Sequence, residues 1–327
     1  MDQFNVYKDM KARTNGEIYI GVVGPVRTGK STFIKRFMNL MVLPNIEDEN
    51  DRNRANDELP QSSSGKTIMT TEPKFVPNEA VSIKTEEGIE LNVRLIDCVG
   101  YMVEGATGHM EGEEERLVKK PWFDYEIPFT KAAAIGTKKV ITEHSTIGVV
   151  VTCDGSFGEI AAKQYEPAEE ETIKQLKALK KPFVVLLNTI HPYSESTKQL
   201  AAEKEEKYQT KVLPMNLEQM KKEDIYEIIK SVLMEFPISS IGFYVPRWTE
   251  MLKKDHPLKM ELLQMARDVI TEKTTMRDIY EEQEKEYEYI TGQKLESVAM
   301  DSGKVVITVK VGDVYYYEFL SETTGME

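Results

Sequence analysis

Short apolar runs alternate with amphipathic stretches along the first 236 residues. Runs rich in β-branched residues predict buried strands at 18–24, 146–154, 181–189 and 211–216. Between them, apolar residues at helical spacing predict helices at 30–41, 167–180, 195–208 and 218–235. Parallel neighbouring strands need crossover connections, so this alternation predicts an α/β fold with a mostly parallel, doubly wound sheet.

Two features interrupt the alternation. Two β-rich runs, at 81–85 and 89–97, flank Glu87-Gly88 and predict one antiparallel hairpin at the sheet. The stretch from Gly100 to His144 is long and rich in glycine and acidic residues. A connection of this length between strands is usually functional or mobile, so we expect it to be one or the other.

The pattern changes after about residue 236, which divides the chain into two predicted domains, 1–236 and 237–327. Residues 247–290 form a charged helical pattern, and residues 304–320 predict a β-hairpin that turns at Gly312-Asp313. One helix and two strands cannot bury a core, so we expect a partial α+β domain. The side chains expected to be only partly covered are Val305, Val306, Ile307, Val309 and Val311.

Charge and composition narrow the classes of partner and compartment. Lysine and arginine number 42 against 55 acidic residues, a formal charge of −13, so we expect no nucleic-acid partner. Two cysteines are too few for a disulfide framework and fit a reducing cytoplasm. Since no stretch approaches the ~18 apolar residues of a membrane span, we expect a cytoplasmic protein whose membrane contact is peripheral.

The segment from Gly24 to Ser31 matches the pattern G-x-x-x-x-G-K-[ST], and it lies between a predicted buried strand and a helix. Glycines let backbone N–H groups curl around a pyrophosphate, and the helix N-terminus adds its positive dipole. Lys30 would neutralise β- and γ-phosphate oxygens, and the Ser31 hydroxyl would ligate Mg²⁺. The position and spacing predict a phosphate loop.

A second element, Leu95 to Gly100, reads L-I-D-C-V-G. Asp97 closes a predicted strand, and the carboxyl end of such a strand faces the ligand crevice in doubly wound folds. We therefore expect Asp97 to help hold Mg²⁺, and the Gly100 N–H to meet the γ-phosphate.

A polar loop from Gly65 to Pro73 lies between these two elements. In phosphate-loop GTPases, a threonine in this order completes the magnesium shell and senses the γ-phosphate. Thr70 or Thr71 would take that role, and the residues leave open which of them ligates the metal. The alternative is that both are simply β-formers entering an edge strand.

The element that would select the base departs from the GTPase pattern. A GTPase carries N-K-x-D after the fifth strand, whereas this chain reads Asn188-Thr189-Ile190-His191 and lacks the guanine-binding carboxylate. Adenine is therefore the expected base. Tyr101 stands where many GTPases have a water-orienting glutamine, so we expect either slow turnover or a water-positioning group or arginine supplied by another subunit. Within this chain, Arg27 is the nearest basic candidate for assisting the reaction.

The chain resembles the stage IV sporulation protein A family, the spore-coat morphogenetic ATPases of endospore-forming Firmicutes. The resemblance rests on GVVGPVRTGKSTFIKRFM, DELPQSSSGKTIMTTEPKFVPNEA, RLIDCVGY and ITEHSTIGVVVTCDGSFGEIA. It is close to about residue 240 and looser to about 300. It implies a phosphate-loop NTPase fold of the translation-factor GTPase type that has shifted to ATP. It also implies that family members continue through a middle region and a C-terminal domain. We therefore expect this chain to be a fragment or a shortened paralogue without that C-terminal domain and part of the middle region, which leaves open whether it assembles on its own.

The resemblance also implies a place of action. It implies a mother-cell cytosolic protein that polymerises with itself, depending on ATP, as the basement layer of the coat on the outer forespore membrane. The implied partners are other coat proteins and a small amphipathic membrane peptide, stage V sporulation protein M. Two other classes stay open: a regulatory GTPase-like switch, and a scaffold that binds nucleotide only for stability.

The predicted site can be stated by role, with ATP and Mg²⁺ as cofactors. The residues expected to act in catalysis are Lys30, Asp97, Thr70 and Thr71. The residues expected to hold the metal are Ser31, Asp97 and Thr70. The residues expected to contact the nucleotide are Gly24, Arg27, Thr28, Gly29, Lys30, Ser31, Thr32, Gly100 and Asn188.

Overall fold

The structure is a computed structural model that describes residues 5–60, 72–85, 88–106, 109–111, 114–119, 124–157, 160–281 and 285–324. The described part of the chain forms two compact units, residues 5–233 and residues 234–324. Each unit is described by itself below.

The first unit is built on a six-stranded sheet. Its strands are β1 (Glu17–Val23), β2 (Lys74–Lys84), β3 (Glu90–Asp97), β4 (Ile147–Cys153), β5 (Phe183–Asn188) and β6 (Val212–Met215). Their spatial order is β6-β5-β4-β1-β3-β2. All neighbours are parallel except β2, which pairs antiparallel with β3. The predicted α/β fold with one antiparallel hairpin is confirmed, although β2 begins seven residues earlier than predicted.

Helices precede, connect and follow these strands. They are α1 (Val6–Thr14), α2 (Lys30–Phe37), α3 (Glu49–Asp57), α4 (Phe129–Lys139), α5 (Ala162–Ala178), α6 (Glu195–Tyr208) and α7 (Lys222–Met234). Short π-helical turns follow α2 and α4, at Met38–Val42 and Val140–His144. No helix in the described ranges is both long and apolar enough to cross a membrane.

Helix α5 shows why one predicted boundary was wrong. It begins five residues before the predicted start, and Pro167 lies inside the helix rather than in its first turn. The Gln164 side chain accepts the backbone N–H of Ala161 at 3.1 Å and caps the earlier start. In contrast, α6 has the predicted bounds, with Ser194 as its N-cap residue.

The long stretch from Gly100 to His144 is only partly a loop. Two pairs of two-residue strands occur in it, Met110–Glu111 with Glu114–Glu115 and Leu117–Val118 with Ile127–Pro128. Helix α4 then buries the face formed by Phe129, Ala132, Ala133, Gly136 and Thr137, which recur at helical spacing. The second half of the stretch therefore belongs to the core.

The core of the first unit lies on both faces of the sheet. Strands β4 and β5 are buried at every position, as expected for parallel strands covered on both sides. Helices α2 and α5 pack against β1 and β4, and α6 packs against β6. This packing holds the carboxyl ends of β1, β3 and β5 in fixed positions, and the candidate site lies there.

The second unit has a three-stranded sheet and two helices. Its strands are β7 (Ser240–Tyr244), β8 (Ile290–Ala299) and β9 (Lys304–Val311), and its helices are α8 (Pro257–Glu272) and α9 (Asp313–Thr324). The order is β7-β9-β8, with β7 parallel and β8 antiparallel to β9. Single-turn 3₁₀ helices occupy Arg247–Met251 and Asp278–Tyr280.

The predicted hairpin at 304–320 is wrong. Strand β9 ends at Val311, and Asp313 opens a helix instead of a turn. Tyr316 and Phe319, one helical turn apart, both pack on the Trp248 ring, with centroids 5.7 and 5.5 Å away. This long-range aromatic contact outweighs the β-propensity of the V-Y-Y-Y run. The hairpin that forms joins β8 to β9 through residues 300–303.

Two further expectations for this unit are corrected. Among the described residues of the predicted 247–290 helix, Pro257–Glu272 alone are α-helical, and β8 begins at Ile290. The unit also buries a core, which includes Leu258, Leu262, Met265 and Val269 of α8 and Val305, Ile307 and Val309 of β9. Those three are buried rather than partly covered, whereas Val306 and Val311 are half-buried as expected.

Candidate functional site

The loop between β1 and α2 has the backbone that a phosphate loop requires. Gly24 and Gly29 have φ values of +128° and +101°, in the region that favours glycine. A Cβ at Gly24 would lie 2.4 Å from the Val151 carbonyl oxygen, and one at Gly29 would lie 2.6 Å from Asn188 Nδ2. The glycines are therefore required for this close packing, and the loop leads directly into the N-terminus of α2.

Lys30, the first residue of α2, lies folded over this loop. Its Nζ donates hydrogen bonds to the carbonyl oxygens of Pro25 at 2.5 Å and Gly24 at 3.4 Å. Burial lowers the pKa of the Lys30 ammonium, while the neighbouring Asp97 carboxylate acts in the opposite direction. A bound anion would supply a further counter-charge at this place.

Ser31 and Asp97 are joined across the loop. The Ser31 hydroxyl donates to Asp97 Oδ2 at 2.8 Å. Asp97 Oδ1 is buried, and no described residue donates a hydrogen bond to it. Burial raises the pKa of the Asp97 carboxyl, and Lys30 and Ser31 partly offset that effect. The structure therefore brings these two predicted site residues together.

The arrangement fits Mg²⁺. The donor set is a hydroxyl and a carboxylate, oxygen ligands that Mg²⁺ prefers, and Asp97 Oδ1 is a buried acceptor without a donor. No group of three His, Cys, Asp or Glu side chains suited to a metal occurs in the described ranges. Phosphate oxygens and water usually complete the magnesium shell in such sites, so Ser31 and Asp97 would be the ligands that the described residues contribute.

The segment after Asp97 lies against the phosphate loop. Gly100 has φ +92°, and a Cβ there would lie 2.1 Å from the Gly24 carbonyl oxygen and 2.7 Å from Lys30 Nζ. The Val26 N–H donates to the Tyr101 carbonyl at 3.0 Å. Burial raises the pKa of Tyr101 to about 12, so its phenol stays protonated near pH 7.

Asn188, at the end of β5, supports the loop from the other side. Its Nδ2 donates to the Thr28 carbonyl at 3.0 Å, and its Oδ1 accepts the Leu217 N–H at 3.3 Å. Sequence reasoning missed Leu217, because no sequence pattern indicates that its backbone N–H bonds to a side chain 29 residues earlier. His191 stands where N-K-x-D would have its aspartate, and it is exposed.

The remaining predicted residues differ in their surroundings. Arg27 is exposed and has a left-handed backbone, φ +62°. Thr28 is buried and donates its hydroxyl to the Pro25 carbonyl at 3.0 Å. Thr32 is half-buried in the first turn of α2. Thr70 and Thr71 lie outside the described residues, so their predicted role stays a prediction.

Comparison with protein families matches the whole chain. Residues 1–237 match the family model described as the ATPase domain of stage IV sporulation protein A. Residues 238–327 match the model of the middle domain of the same protein. Among solved structures, a crystal structure of an SsGBP variant aligns over 68% of this chain and 58% of its own, at 15% identity and a TM-score of 0.35. A likeness that weak carries no argument.

Three curated relatives bear the name stage IV sporulation protein A. The Bacillus anthracis protein is 45% identical over 100% of this chain and 67% of its own length. The Clostridioides difficile protein is 48% identical over 99% of this chain and 66% of its own, and the Bacillus subtilis protein is 44% identical over 100% and 67%. The chain thus spans about two thirds of their length. It belongs to the stage IV sporulation protein A family and carries that family's ATPase and middle domains.

Proposed function

We propose that the first unit binds ATP with Mg²⁺ and hydrolyses it slowly. The observation that carries this proposal is the hydrogen bond between Ser31 and Asp97, together with the unpaired Asp97 Oδ1 behind it. A phosphate loop that already holds its serine and its acidic residue together is suited to a magnesium nucleotide.

Each residue has a role that follows from its position. Lys30 exchanges its contacts with the loop carbonyls for phosphate oxygens and neutralises their charge. Ser31 and Asp97 hold Mg²⁺, which offsets negative charge on the transferred phosphate. The Gly100 N–H lies beside Lys30, where it can meet the γ-phosphate. Tyr101, whose phenol stays protonated at neutral pH, stands where many GTPases have a water-orienting glutamine, so turnover is slow.

Adenine is the proposed base. Guanine recognition by N-K-x-D depends on a carboxylate that accepts two hydrogen bonds, and His191 cannot accept both. Equal affinity for GTP and ATP would contradict this part of the proposal. It would favour the alternative, a regulatory GTPase-like switch.

The proposed role of hydrolysis is self-assembly. The relatives are named for a stage of sporulation, and the family resemblance associates ATP turnover with a polymer that forms the basement layer of the spore coat. We place the protein in the mother-cell cytosol, peripheral on the outer forespore membrane. Its proposed partners are further copies of itself, other coat proteins and the small amphipathic peptide stage V sporulation protein M.

Release of phosphate from ATP in the presence of Mg²⁺ tests the enzymatic part. Asp97→Asn should lower kcat at least tenfold, because the metal loses an anionic ligand. Glu90→Gln is the matched control, since Glu90 is an exposed acid at the opposite end of the same strand. It should leave kcat within twofold.

Two outcomes would contradict the proposal. Equal rates of phosphate release from the parent chain and Asp97→Asn would show that Asp97 is not part of the catalytic site. Tight ATP binding without phosphate release in the parent would favour the scaffold alternative, in which nucleotide only stabilises the fold.

A further inference from the structure

The two edges of the sheet in the second unit are protected differently. Edge strand β8 carries exposed Lys294 and Glu296, and its pairing with β9 is broken by two register shifts. Just before it, the Glu261 carboxylate accepts the backbone N–H groups of Glu288, Tyr289 and Ile290 at 2.9, 2.7 and 3.2 Å. Charges, bulges and capped N–H groups all discourage another strand from pairing with this edge.

The opposite edge, β7, lacks these protections. Its sequence, S-I-G-F-Y, contains no charge, and it pairs with β9 over five residues without a register shift. The Gly303 carbonyl accepts the N–H groups of Ser239 at 2.8 Å and Ser240 at 3.4 Å. Since Ser240 is paired in register with Lys304, its bond to the residue just before Lys304 marks residues 240, 242 and 244 as those that bond to β9. The backbone groups of Ile241 and Phe243 therefore point outward, and no described residue bonds to them.

Strand β7 is complementary to itself. If two copies pair antiparallel about an axis through Gly242, Ile241 of each lies opposite Phe243 of the other. The outward N–H and C=O groups of these residues then form four hydrogen bonds. The pairing sets a β-branched residue against an aromatic one, a favourable cross-strand combination, and it brings no charge against another. Glycine on the axis lets the facing strands approach closely.

We propose that β7 is the docking site for a second copy of this chain, through antiparallel pairing of Ser240–Tyr244 with itself. This inference rests on the proposed self-assembly and names one of its contacts. A two-fold contact of this kind closes on itself, so it yields a dimer, and a polymer needs a second, different contact.

Disulfide cross-linking tests the pairing without nucleotide. Gly242→Cys would place two thiols across the axis, at a Cα separation of ~4.5 Å that suits a disulfide. The site has room, since a Cβ at Gly242 meets nothing closer than 3.9 Å. The native cysteines, Cys98 and Cys153, are buried. Lys294→Cys on the protected edge is the control.

Under a mild oxidant, Gly242→Cys should give at least tenfold more covalent dimer than Lys294→Cys. Equal yields would overturn the proposal. Because this readout needs no ATP, a dimer formed by a chain that does not hydrolyse ATP would leave the inference standing. Polymers formed with ATP by a chain that does not cross-link would overturn the inference alone.

Charged substitutions at two facing positions test the register of the proposed antiparallel pairing. In the proposed pairing, exposed Ser240 of one copy faces exposed Tyr244 of the other. Added to the Gly242→Cys chain, Ser240→Lys with Tyr244→Lys sets like charges opposite each other and should lower the dimer yield at least tenfold. Ser240→Lys with Tyr244→Glu sets opposite charges there and should keep the yield within threefold. Equal yields from the two double variants would overturn the antiparallel register.

Discussion

The two sheets of this chain differ in how their strands are covered. In the first unit, β4 and β5 are buried at every position. In the second unit, β9 alternates between buried and half-exposed residues, and no residue of β7 is buried. A parallel sheet between helices holds its strand ends rigidly, whereas a sheet with an open face and a free edge offers surface for contacts.

This difference matches the proposed division of labour. Chemistry at the phosphate loop needs Lys30, Ser31 and Asp97 in fixed positions, and the double-sided core of the first unit supplies that rigidity. Assembly needs accessible backbone groups, which the edge strand β7 supplies. The predictions below test this contrast, starting with the largest expected effect.

Shortening a side chain in the first sheet should lower the free energy of unfolding more than shortening one in the second sheet. Leu187→Ala, at a fully buried position of β5, should lower the free energy of unfolding by about 2–5 kcal/mol because it leaves a cavity. Val306→Ala, at a half-buried position of β9, should cost about 1 kcal/mol. Urea denaturation measures both. Equal losses would show that the face of the second sheet is covered in solution.

Asp97→Asn should weaken stabilisation by ligand. At a concentration of 100 times its Kd, ATP with Mg²⁺ should stabilise the parent by about 2.7 kcal/mol, and it should stabilise the variant by less than about 1 kcal/mol. Thermal unfolding with and without the ligand measures this difference. If the ligand stabilises the variant as much as the parent, Asp97 does not hold the metal.

The same variant should be more stable than the parent without ligand. Because burial raises the pKa of Asp97 above its ordinary value of 3.8, the folded chain binds this proton more tightly than the unfolded chain does. The stability from this group is therefore present below the ordinary pKa and is lost as pH rises through the folded pKa. The advantage of the variant should grow as pH rises from 3.8 to the pKa of the folded chain and stay constant above it. Unfolding measured across pH shows this.

Lys30→Ala should lower ATP affinity at least tenfold, or about 1.4 kcal/mol, because it removes the cation that faces the phosphates. Lys35→Ala is the matched control, since Lys35 is an exposed lysine of the same helix. Calorimetry should find its affinity unchanged. A parallel loss in both variants would indicate general electrostatic attraction instead of a defined contact.

The smallest change in binding is expected at Thr70 and Thr71. Replacing both with alanine should leave ATP affinity within several-fold and still slow hydrolysis, because the lost contacts are to Mg²⁺ and the transferred phosphate. Ser62→Ala with Ser63→Ala, just before the same polar loop in the sequence, is the control for both measurements. If the threonine variant hydrolyses ATP as fast as the parent, the alternative holds, in which both threonines are only β-formers entering an edge strand.

The first unit was predictable from sequence because its signals are local. Buried parallel strands appear as continuous apolar runs, and their ends place Gly24, Asp97 and Asn188 at one edge of the sheet. The spacing of the phosphate loop is fixed by the backbone geometry that a phosphate needs. These features need no knowledge of which distant residues meet.

Tertiary structure decided the rest. The contact of Asn188 with Thr28 joins residues 160 positions apart, and the hydrogen bond from Val26 to Tyr101 depends on how two loops pack. Residues 313–324 form a helix because Trp248 packs against two of its aromatic side chains, although their local preference is for a strand. Local preferences amount to fractions of a kcal/mol per residue, so burial of large aromatic surfaces from distant parts of the chain overrides them.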